Sequence, residues 1–368
     1  MRTRRRGNRI STLGSISALL FLGACADGPT EPGSNGLLEP IDLAQPWESG
    51  NAAAEGFDSE SLNAAYGAAA SLENIRALIV VRNGKLIREA YFNETTAETP
   101  LDVRSVTKTV TALVVGIAED EGALDVEDPI RDWIDPALLR PDHDAIRVRH
   151  LLTMTSGIEW TDQANFNPWV QSGRPVGYVL DLPVVAAPDQ RFMYNTGGSH
   201  LLAVIVAAAT GGDALAFADD RLFGPLGMRD RRIWPVIGGQ PAGGVALRLP
   251  ARDLARLGQL VLQRGRSGDR QLVSESYVDE AFRPRIPLGA IGNVLEDGGY
   301  GYQVWTESQG SPAYVMWGFG GQFVWVVPDK DLVVVAASHW SGIGYDGSAR
   351  QANALGEFIR EHIVASAR

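Results

Sequence analysis

The chain has 368 residues, 45% hydrophobic and 21% charged, an ordinary globular composition that suits one large domain or two closely packed lobes. The formal net charge is −11, and the part after residue 24 is more acidic still, because residues 1–24 hold five arginines and no acidic residue. This balance argues against nucleic acid or an anionic membrane surface as a partner, since both need clustered Lys and Arg. The single cysteine excludes an intramolecular disulfide.

The N-terminus is typical of an export signal. Basic residues precede the apolar run Leu13–Phe21, which is too short to cross a bilayer comfortably. The run leads into Leu22-Gly23-Ala24-Cys25, which resembles a bacterial lipobox and implies cleavage before Cys25 and lipid attachment to it. An ordinary signal peptide is the alternative. We therefore predict a protein exported to the bacterial cell envelope and held there by its lipid anchor alone, with a leader over residues 1–24, a flexible tether over 25–50 and a folded domain over 51–368.

The predicted strands lie near the two ends of the domain and the predicted helices lie between them. The strand segments are Ile75–Val81, Lys85–Phe92, Gly299–Trp305, Ala313–Trp317, Phe323–Val327 and Leu332–Ala337. The helices are Phe57–Leu72, Ser105–Gly122, Val148–Gly157, Thr196–Ala209, Asp253–Arg264 and Ala349–Ala365, and residues 158–190 are predicted to be irregular.

This order predicts an α/β fold of the α+β kind. One antiparallel sheet, built from the N- and C-terminal segments and flanked by helices, would carry an inserted, mostly helical lobe. The sheet lobe would comprise about residues 51–100 and 298–368, and the helical lobe about residues 101–297. An active site is expected at the seam between them, where pockets tend to form.

The stretch Ser105-Val106-Thr107-Lys108 is the first candidate for chemistry. Side chains three residues apart are neighbours on a helix, with about 5–6 Å between Cβ atoms, so the hydroxyl and the amine can meet. A Ser beside a base is the minimal arrangement for nucleophilic catalysis, and S-x-x-K is a signature of β-lactamases and penicillin-binding proteins. The helix that follows is apolar on most sides, which predicts that it is buried with Ser105 at its mouth.

Two further stretches could assist Ser105. Tyr194 precedes a predicted helix, and a protonated Lys108 nearby would favour its phenolate, whereas a structural, half-buried aromatic residue is the alternative. The glycine-rich run Gly318–Gln322 enters a strand, where a free backbone N–H could complete an oxyanion hole, or where a plain hairpin turn could lie. The five histidines are scattered without metal-ligand spacing, so neither a metal nor a cofactor is predicted.

Five stretches together resemble the serine β-lactamase-like hydrolases related to class C β-lactamases, which include penicillin-binding esterases and 6-aminohexanoate-oligomer hydrolases. They are Ser105–Lys108, Val148–Gly157, Tyr194–Thr196, Leu222–Met228 and Gly318–Gln322. The resemblance implies a β-lactamase/transpeptidase-like fold and an acyl-enzyme on Ser105, with Lys108 and Tyr194 as base or proton relay. It further implies an oxyanion hole from the backbone N–H groups of Ser105 and Gln322, and substrate contacts from Thr196, Trp317, Phe319, Gly320 and Gly321.

Two positions depart from the pattern of that family. Thr196 stands where Asn is common, and Phe319 stands where β-lactamases have Lys and their relatives His, so recognition of a β-lactam carboxylate is weakened. We therefore predict an esterase or amidase acting on less charged small molecules or peptides. The alternatives are a cell-wall D-peptide carboxypeptidase or aminopeptidase, a weak β-lactamase, and a non-catalytic binding or sensing module. The sequence leaves open which of Lys108 and Tyr194 takes the first proton.

Overall fold

The computed structural model describes residues 39–368. The predicted leader, the predicted lipid attachment at Cys25 and most of the tether lie outside the described residues. Within residues 39–368 no single helix has the length and apolar character needed to cross a membrane. Thr196–Thr210 and Ala214–Phe223 meet those two criteria only when taken together, and the pair is bent by 87°.

An antiparallel sheet of eight strands, in the order β2-β1-β14-β13-β12-β11-β10-β9, forms the centre of the fold. The strands in chain order are β1 (Ile75–Arg82), β2 (Lys85–Tyr91), β3 (Leu101–Asp102), β4 (Val236–Ile237), β5 (Gln240–Pro241), β6 (Arg248–Leu249), β7 (Arg266–Ser267), β8 (Arg270–Gln271), β9 (Ile286–Ile291), β10 (Leu295–Tyr300), β11 (Trp305–Glu307), β12 (Ala313–Gly318), β13 (Gln322–Val327) and β14 (Leu332–Ser338). The first strand pairs with the last, with Val80 opposite Val334. The predicted sheet made from both ends of the chain is confirmed.

Helices cover both faces of this sheet. They are α1 (Ser59–Ala69), α2 (Val106–Asp120), α3 (Val148–Leu152), α4 (Asp162–Gln171), α5 (Pro175–Asp181), α6 (Thr196–Thr210), α7 (Ala214–Ala218), α8 (Ala251–Leu262), α9 (Glu275–Phe282) and α10 (Gly344–Phe358). Alternate residues of β14 serve two cores: Val334 packs with α1 and α10, and Val335 packs with α2, α6 and α8. Burial on both faces explains why this strand is almost continuously apolar.

The central helix α2 is enclosed nearly all round, as its apolar pattern predicts. Every residue from Val106 to Ala118 is buried, including Lys108, and only the last two residues of the helix are not. The helix packs against α6 and against β12 and β13 of the sheet. Its N-terminal end therefore brings Ser105 to the boundary between the sheet and the inserted helices.

The predicted helical lobe ends too late, because β9 and the first half of β10 lie within residues 286–297 and belong to the main sheet. Closer to the site, the structure differs from the prediction in two regions. Residues 158–190 contain α4 and α5, whose starts are fixed by a Thr161 side-chain cap and by Pro175 in the first turn, not by any apolar periodicity. The predicted strand over Gly299–Trp305 is two strands, because Gly301 N–H donates to Val304 O and closes a turn between β10 and β11. Both differences bear on the site, since α4 and β11 supply some of its walls.

Candidate active site

Ser105 lies immediately before the first residue of α2, and its hydroxyl caps no backbone N–H of that helix. The preceding residue, Arg104, has φ of 49°, an uncommon left-handed conformation for a side chain with a Cβ. Asp102 Oδ1 holds this turn by accepting from the Arg104 N–H at 3.0 Å. The turn leaves the Ser105 side chain partly exposed at the helix mouth, with its oxygen free for other contacts.

Lys108 lies one turn into α2 and is 1% exposed. Its Nζ donates to Ser105 Oγ at 3.0 Å, to Thr196 Oγ1 at 3.0 Å and to the Gly244 carbonyl at 2.7 Å. Burial lowers the pKa of Lys108 from its ordinary value to about 7; the Asp162 carboxylate opposes this shift and the Arg104 charge adds to it. The amine is thus both aimed at Ser105 and able to lose its proton near neutral pH.

A carboxylate reaches Lys108 through one intervening hydroxyl. Thr196 Oγ1 accepts from Lys108 and donates to Asp162 Oδ2 at 3.1 Å. Asp162 Oδ1 accepts in turn from Trp160 Nε1 at 2.6 Å. Because the Thr196 hydroxyl is 1% exposed and engaged on both sides, it links Lys108 to Asp162 and has little capacity left for a substrate amide.

Tyr194 lies just before α6, where Asn195 caps the helix by accepting from the Gly198 N–H at 2.7 Å. Its ring stacks on Trp305 at 5.7 Å, and Lys108 Nζ lies 4.8 Å from its centroid. Burial raises the pKa of the Tyr194 phenol above its ordinary value, the Asp162 charge raises it further, and the nearby Ser105 hydroxyl opposes the rise. The prediction of a phenolate is therefore wrong, because burial and the Asp162 charge both disfavour the ionised phenol.

The predicted third motif forms the tight connection between β12 and β13. A Cβ on Gly318 would lie 2.4 Å from the Val103 carbonyl, so the hairpin abuts the segment that leads into Ser105. Gln322 pairs with Gly318 where β12 and β13 meet, and its buried side-chain amide donates to the Ser338 carbonyl at 2.9 Å. This approach is compatible with an oxyanion donor from the hairpin, although the assignment of the Gln322 N–H stays a prediction.

The predicted substrate-contact residues of the hairpin lie in an aromatic setting. Trp317 packs on Trp305, the residue that stacks on Tyr194, with ring centroids 5.4 Å apart. Phe319 meets Tyr345 edge to face at 5.4 Å. Two glycines with φ of 77° and 82°, Gly320 and Gly321, complete the turn. The structure therefore brings Ser105, Lys108, Tyr194, Thr196 and this hairpin together at the N-terminal end of α2.

Sequence reasoning missed two acceptors of this network. Asp162 stands in a region that shows no periodicity, and the only signal for it is a Thr161 cap followed by an acidic first turn, which marks helix starts in general. The Gly244 carbonyl is supplied 136 residues after Lys108 by an irregular segment. Neither local pattern nor spacing points to these contacts.

Comparison with known proteins places the chain in a family. The Beta-lactamase family model matches residues 66–357. The 6-aminohexanoate-dimer hydrolase of Paenarthrobacter ureafaciens is 25% identical over 284 residues, which is 72% of this chain and 72% of that protein. Penicillin-binding protein 4* of Bacillus subtilis (strain 168) is 29% identical over 140 residues, 36% of this chain and 30% of that protein.

Solved structures share the fold. The octameric penicillin-binding protein homologue from Pyrococcus abyssi has a TM-score of 0.69 at 20% identity, covering 85% of this chain and 78% of that one. The D-stereospecific amidohydrolase from Streptomyces sp. has a TM-score of 0.63 at 18% identity, covering 84% of this chain and 99% of that one. Since the family model spans most of the sequence and the architecture agrees, the chain belongs to the Beta-lactamase family, a family of β-lactamase-fold serine hydrolases.

Proposed function

We propose that the protein hydrolyses an ester or amide bond through an acyl-enzyme on Ser105. The observation that carries the proposal is the contact between the partly exposed Ser105 and the buried Lys108, with Nζ 3.0 Å from Oγ and the pKa of the amine lowered to about 7. At neutral pH a large fraction of such an amine is uncharged and can accept a proton, which a Lys of ordinary pKa cannot do efficiently.

The first step uses Lys108 as the base. Lys108 Nζ accepts the Ser105 hydroxyl proton while Oγ bonds to the substrate carbonyl carbon, and backbone N–H groups, that of Ser105 among them, bind the resulting oxyanion. The C–O or C–N bond then breaks as Tyr194 gives its phenolic proton to the leaving atom and regains one from Lys108. Water attacks the acyl-enzyme with Lys108 accepting its proton, and that proton returns to Ser105 as the acid leaves.

We assign the first proton to Lys108 because the two candidate bases are shifted in opposite directions. Burial lowers the pKa of Lys108 to about 7 and raises that of the Tyr194 phenol, so the amine is the group that is uncharged and basic near neutrality. A neutral phenol is suited to the other task, donation to the leaving group. The Tyr194 phenol lies beside the Ser105 hydroxyl, and Lys108 Nζ lies 4.8 Å from its ring centroid, so all three groups are neighbours.

The proposed specificity for an ester or amide rests on the side chains that surround Ser105. The Thr196 hydroxyl is engaged by Lys108 and Asp162, and Phe319 brings an aromatic ring to the position where the family pattern has a cation. The name of the relative matched over 72% of both chains, a 6-aminohexanoate-dimer hydrolase, supports a linear substrate of this kind.

The decisive experiment compares wild type with Ser105→Ala on esters, linear amides, D-peptides and nitrocefin. We expect wild type to hydrolyse p-nitrophenyl esters or amides faster than nitrocefin, and Ser105→Ala to lose at least about 10³-fold. A fluorophosphonate should label wild type and not Ser105→Ala, while Ser308→Ala, which alters an exposed serine, should label normally.

Each alternative has its own outcome in that experiment. Absence of a Ser105 adduct together with absence of turnover would favour a binding or sensing module. Faster turnover of nitrocefin than of any ester would identify a β-lactamase, and release of a terminal D-residue with little esterase activity would identify a cell-wall peptidase.

A second prediction concerns the carboxylate behind Thr196. Asp162→Asn removes a charge that holds the pKa of Lys108 up, so the acidic limb of the kcat/KM profile should move to lower pH by about one unit. Thr196→Val keeps the Asp162 charge but removes the hydroxyl that joins Asp162 to Lys108. It should lower kcat and shift the acidic limb of the kcat/KM profile by less than Asp162→Asn does. The exposed Asp269→Asn should change neither quantity. A limb that stays in place in Asp162→Asn would show that this carboxylate does not act on Lys108.

A further inference from the structure

Arg104, the residue before Ser105, has a guanidinium that makes no hydrogen bond within residues 39–368. Its Nε is sealed from solvent and has no partner. The carboxylate nearest to it, on Asp102, lies 3.9 Å from Nη1 and already accepts from the Arg104 backbone N–H. The Arg104 side chain is 16% exposed. Because its Nε is sealed, the donors that a ligand can reach are those of the two terminal amino groups.

The contacts that hold Arg104 engage its faces and leave its edge free. Its Cζ lies 4.2 Å from the ring centroid of Trp340 and 5.7 Å from that of Phe166. Trp340 in turn packs on the hairpin, since a Cβ on Gly320 would lie 2.5 Å from Trp340 Cβ. Stacking of this kind uses the flat face of a guanidinium, whereas its N–H donors point outward in the plane.

Arg104 lies close to the proposed catalytic residues. Its charge helps to lower the pKa of Lys108 and opposes the rise in the pKa of Tyr194 and of Tyr345, and its guanidinium lies against Trp340. Arg104 directly precedes the nucleophile, and its backbone has a positive φ of 49°, which few residues other than glycine adopt. A cation with unused donors therefore stands at the mouth of the cleft.

The free N–H donors of a largely buried guanidinium are best matched by a carboxylate. The terminal N–H groups of this guanidinium are accessible, and a planar guanidinium matches a carboxylate with two parallel charge-assisted hydrogen bonds. The expectation of less charged substrates came from Thr196 and Phe319, and of these two only Phe319 removes a cation, from the hairpin. Arg104 restores a positive charge to the same cleft from the side of the nucleophile.

We propose that Arg104 binds a carboxylate of the substrate, and that the ester or amide hydrolysed at Ser105 carries a free carboxylate near the bond that is cleaved. The proposal rests on the proposed hydrolysis and names the class of its substrate. Arg104 acts here in recognition, by holding one end of the molecule while Ser105 attacks the carbonyl.

The test uses two p-nitrophenyl esters that differ in one group: the monoester of glutaric acid, with its free carboxylate, and the same compound capped as a methyl ester. Wild type should prefer the free acid. In Arg104→Gln the ratio of the two kcat/KM values should fall by about tenfold to a hundredfold, mainly through KM of the free acid. Arg104→Lys should also lower the ratio, because an ammonium lacks the two-pronged geometry. Arg266→Gln, an exposed arginine on β7, should leave it unchanged.

The outcomes separate this proposal from the proposed function. If neither ester is hydrolysed in a Ser105-dependent manner, the proposed function is overturned. Ser105-dependent hydrolysis with no preference for the free acid, or with a ratio that is the same in wild type and Arg104→Gln, overturns the role of Arg104. Should Arg104→Gln fail to fold, the ratio in Arg104→Lys and the competitive inhibition of wild type by glutarate against methyl glutarate decide the question.

Discussion

Lys108→Met is expected to lower hydrolysis by about 10²–10⁴-fold, the range that a general base typically contributes. The side chain keeps its length and its place in the buried helix, but it can no longer accept the Ser105 proton. In wild type, kcat/KM should rise tenfold per pH unit below about 7 and level off above it, because the uncharged amine is the active form. No such limb should be present in the residual activity of Lys108→Met.

The same substitution is expected to stabilise the fold at pH 7. Lys108 is 1% exposed, and burial lowers its pKa from the ordinary 10.5 to about 7, so the unfolded chain binds more protons than the folded chain between these values. Stability due to this group therefore rises with pH from about 7 to 10.5, and below about 7 the full penalty is present. At about 1.4 kcal/mol per pKa unit the penalty is on the order of 5 kcal/mol.

Part of that gain is offset by the lost hydrogen bonds. Met leaves the Gly244 carbonyl and the Thr196 hydroxyl without the donor they now have, at about 1–3 kcal/mol for each unsatisfied buried group. Taking about 2 kcal/mol for each of the two groups, we expect a net increase in the free energy of unfolding on the order of 1 kcal/mol at pH 7. The difference between Lys108→Met and wild type should shrink and then change sign as the pH is raised toward 10, because the charge penalty disappears while the lost hydrogen bonds remain.

Urea unfolding of both proteins at pH 7 and pH 9.5, with kcat/KM measured in parallel, checks this prediction. Lys330→Met changes a lysine on the β13–β14 connection and should retain hydrolysis. A variant that keeps more than about one per cent of the activity would remove Lys108 from the role of base. A variant less stable than wild type by the same amount at both pH values would show that the buried amine imposes no charge penalty.

The elements predicted correctly are those whose signal is local. The β-branched run of β1 is followed by Asn83-Gly84, a sequence typical of a two-residue hairpin turn, so the β1–β2 hairpin follows from local sequence. The all-round apolar pattern of α2 likewise predicts its burial. The Ser105–Lys108 contact follows from helical spacing alone. By contrast, α4 and α5 carry too few apolar residues in phase for the pattern to reveal a helix.

The electrostatics of the site depend on contacts that no local pattern contains. The pKa of Lys108 is set by the burial of α2 beneath other elements and by Asp162, which reaches it through Thr196. The sign of the shift at Tyr194 is wrong in the prediction because the effect of a nearby amine could be foreseen from the sequence, while the enclosure of the phenol could not. Arg104 was visible beside Ser105, but only the folded structure shows that, within residues 39–368, its guanidinium makes no hydrogen bond.

Tyr194→Phe is expected to separate the two proton transfers. If Tyr194 protonates the leaving group, the variant should lose about 10²–10⁴-fold on an amide, whose nitrogen must gain a proton to depart. It should lose far less on a p-nitrophenyl ester, since p-nitrophenolate leaves without one. The ring stays stacked on Trp305, so stability should change little. Tyr314→Phe, which removes a phenol hydroxyl from a residue packed on Phe282, is the matched control and should hydrolyse both substrates normally.

The pH dependence of Tyr194→Phe tests the assignment of roles independently. Burial raises the pKa of the Tyr194 phenol above its ordinary value, so the phenol stays protonated through the working range and contributes no acidic limb. The limb near pH 7 belongs to Lys108 and should persist in the variant, measured as kcat/KM on the ester from pH 5 to 9. Loss of that limb would make Tyr194 the base. An equal loss on ester and amide would mean that its proton is needed when Ser105 attacks, not when the leaving group departs.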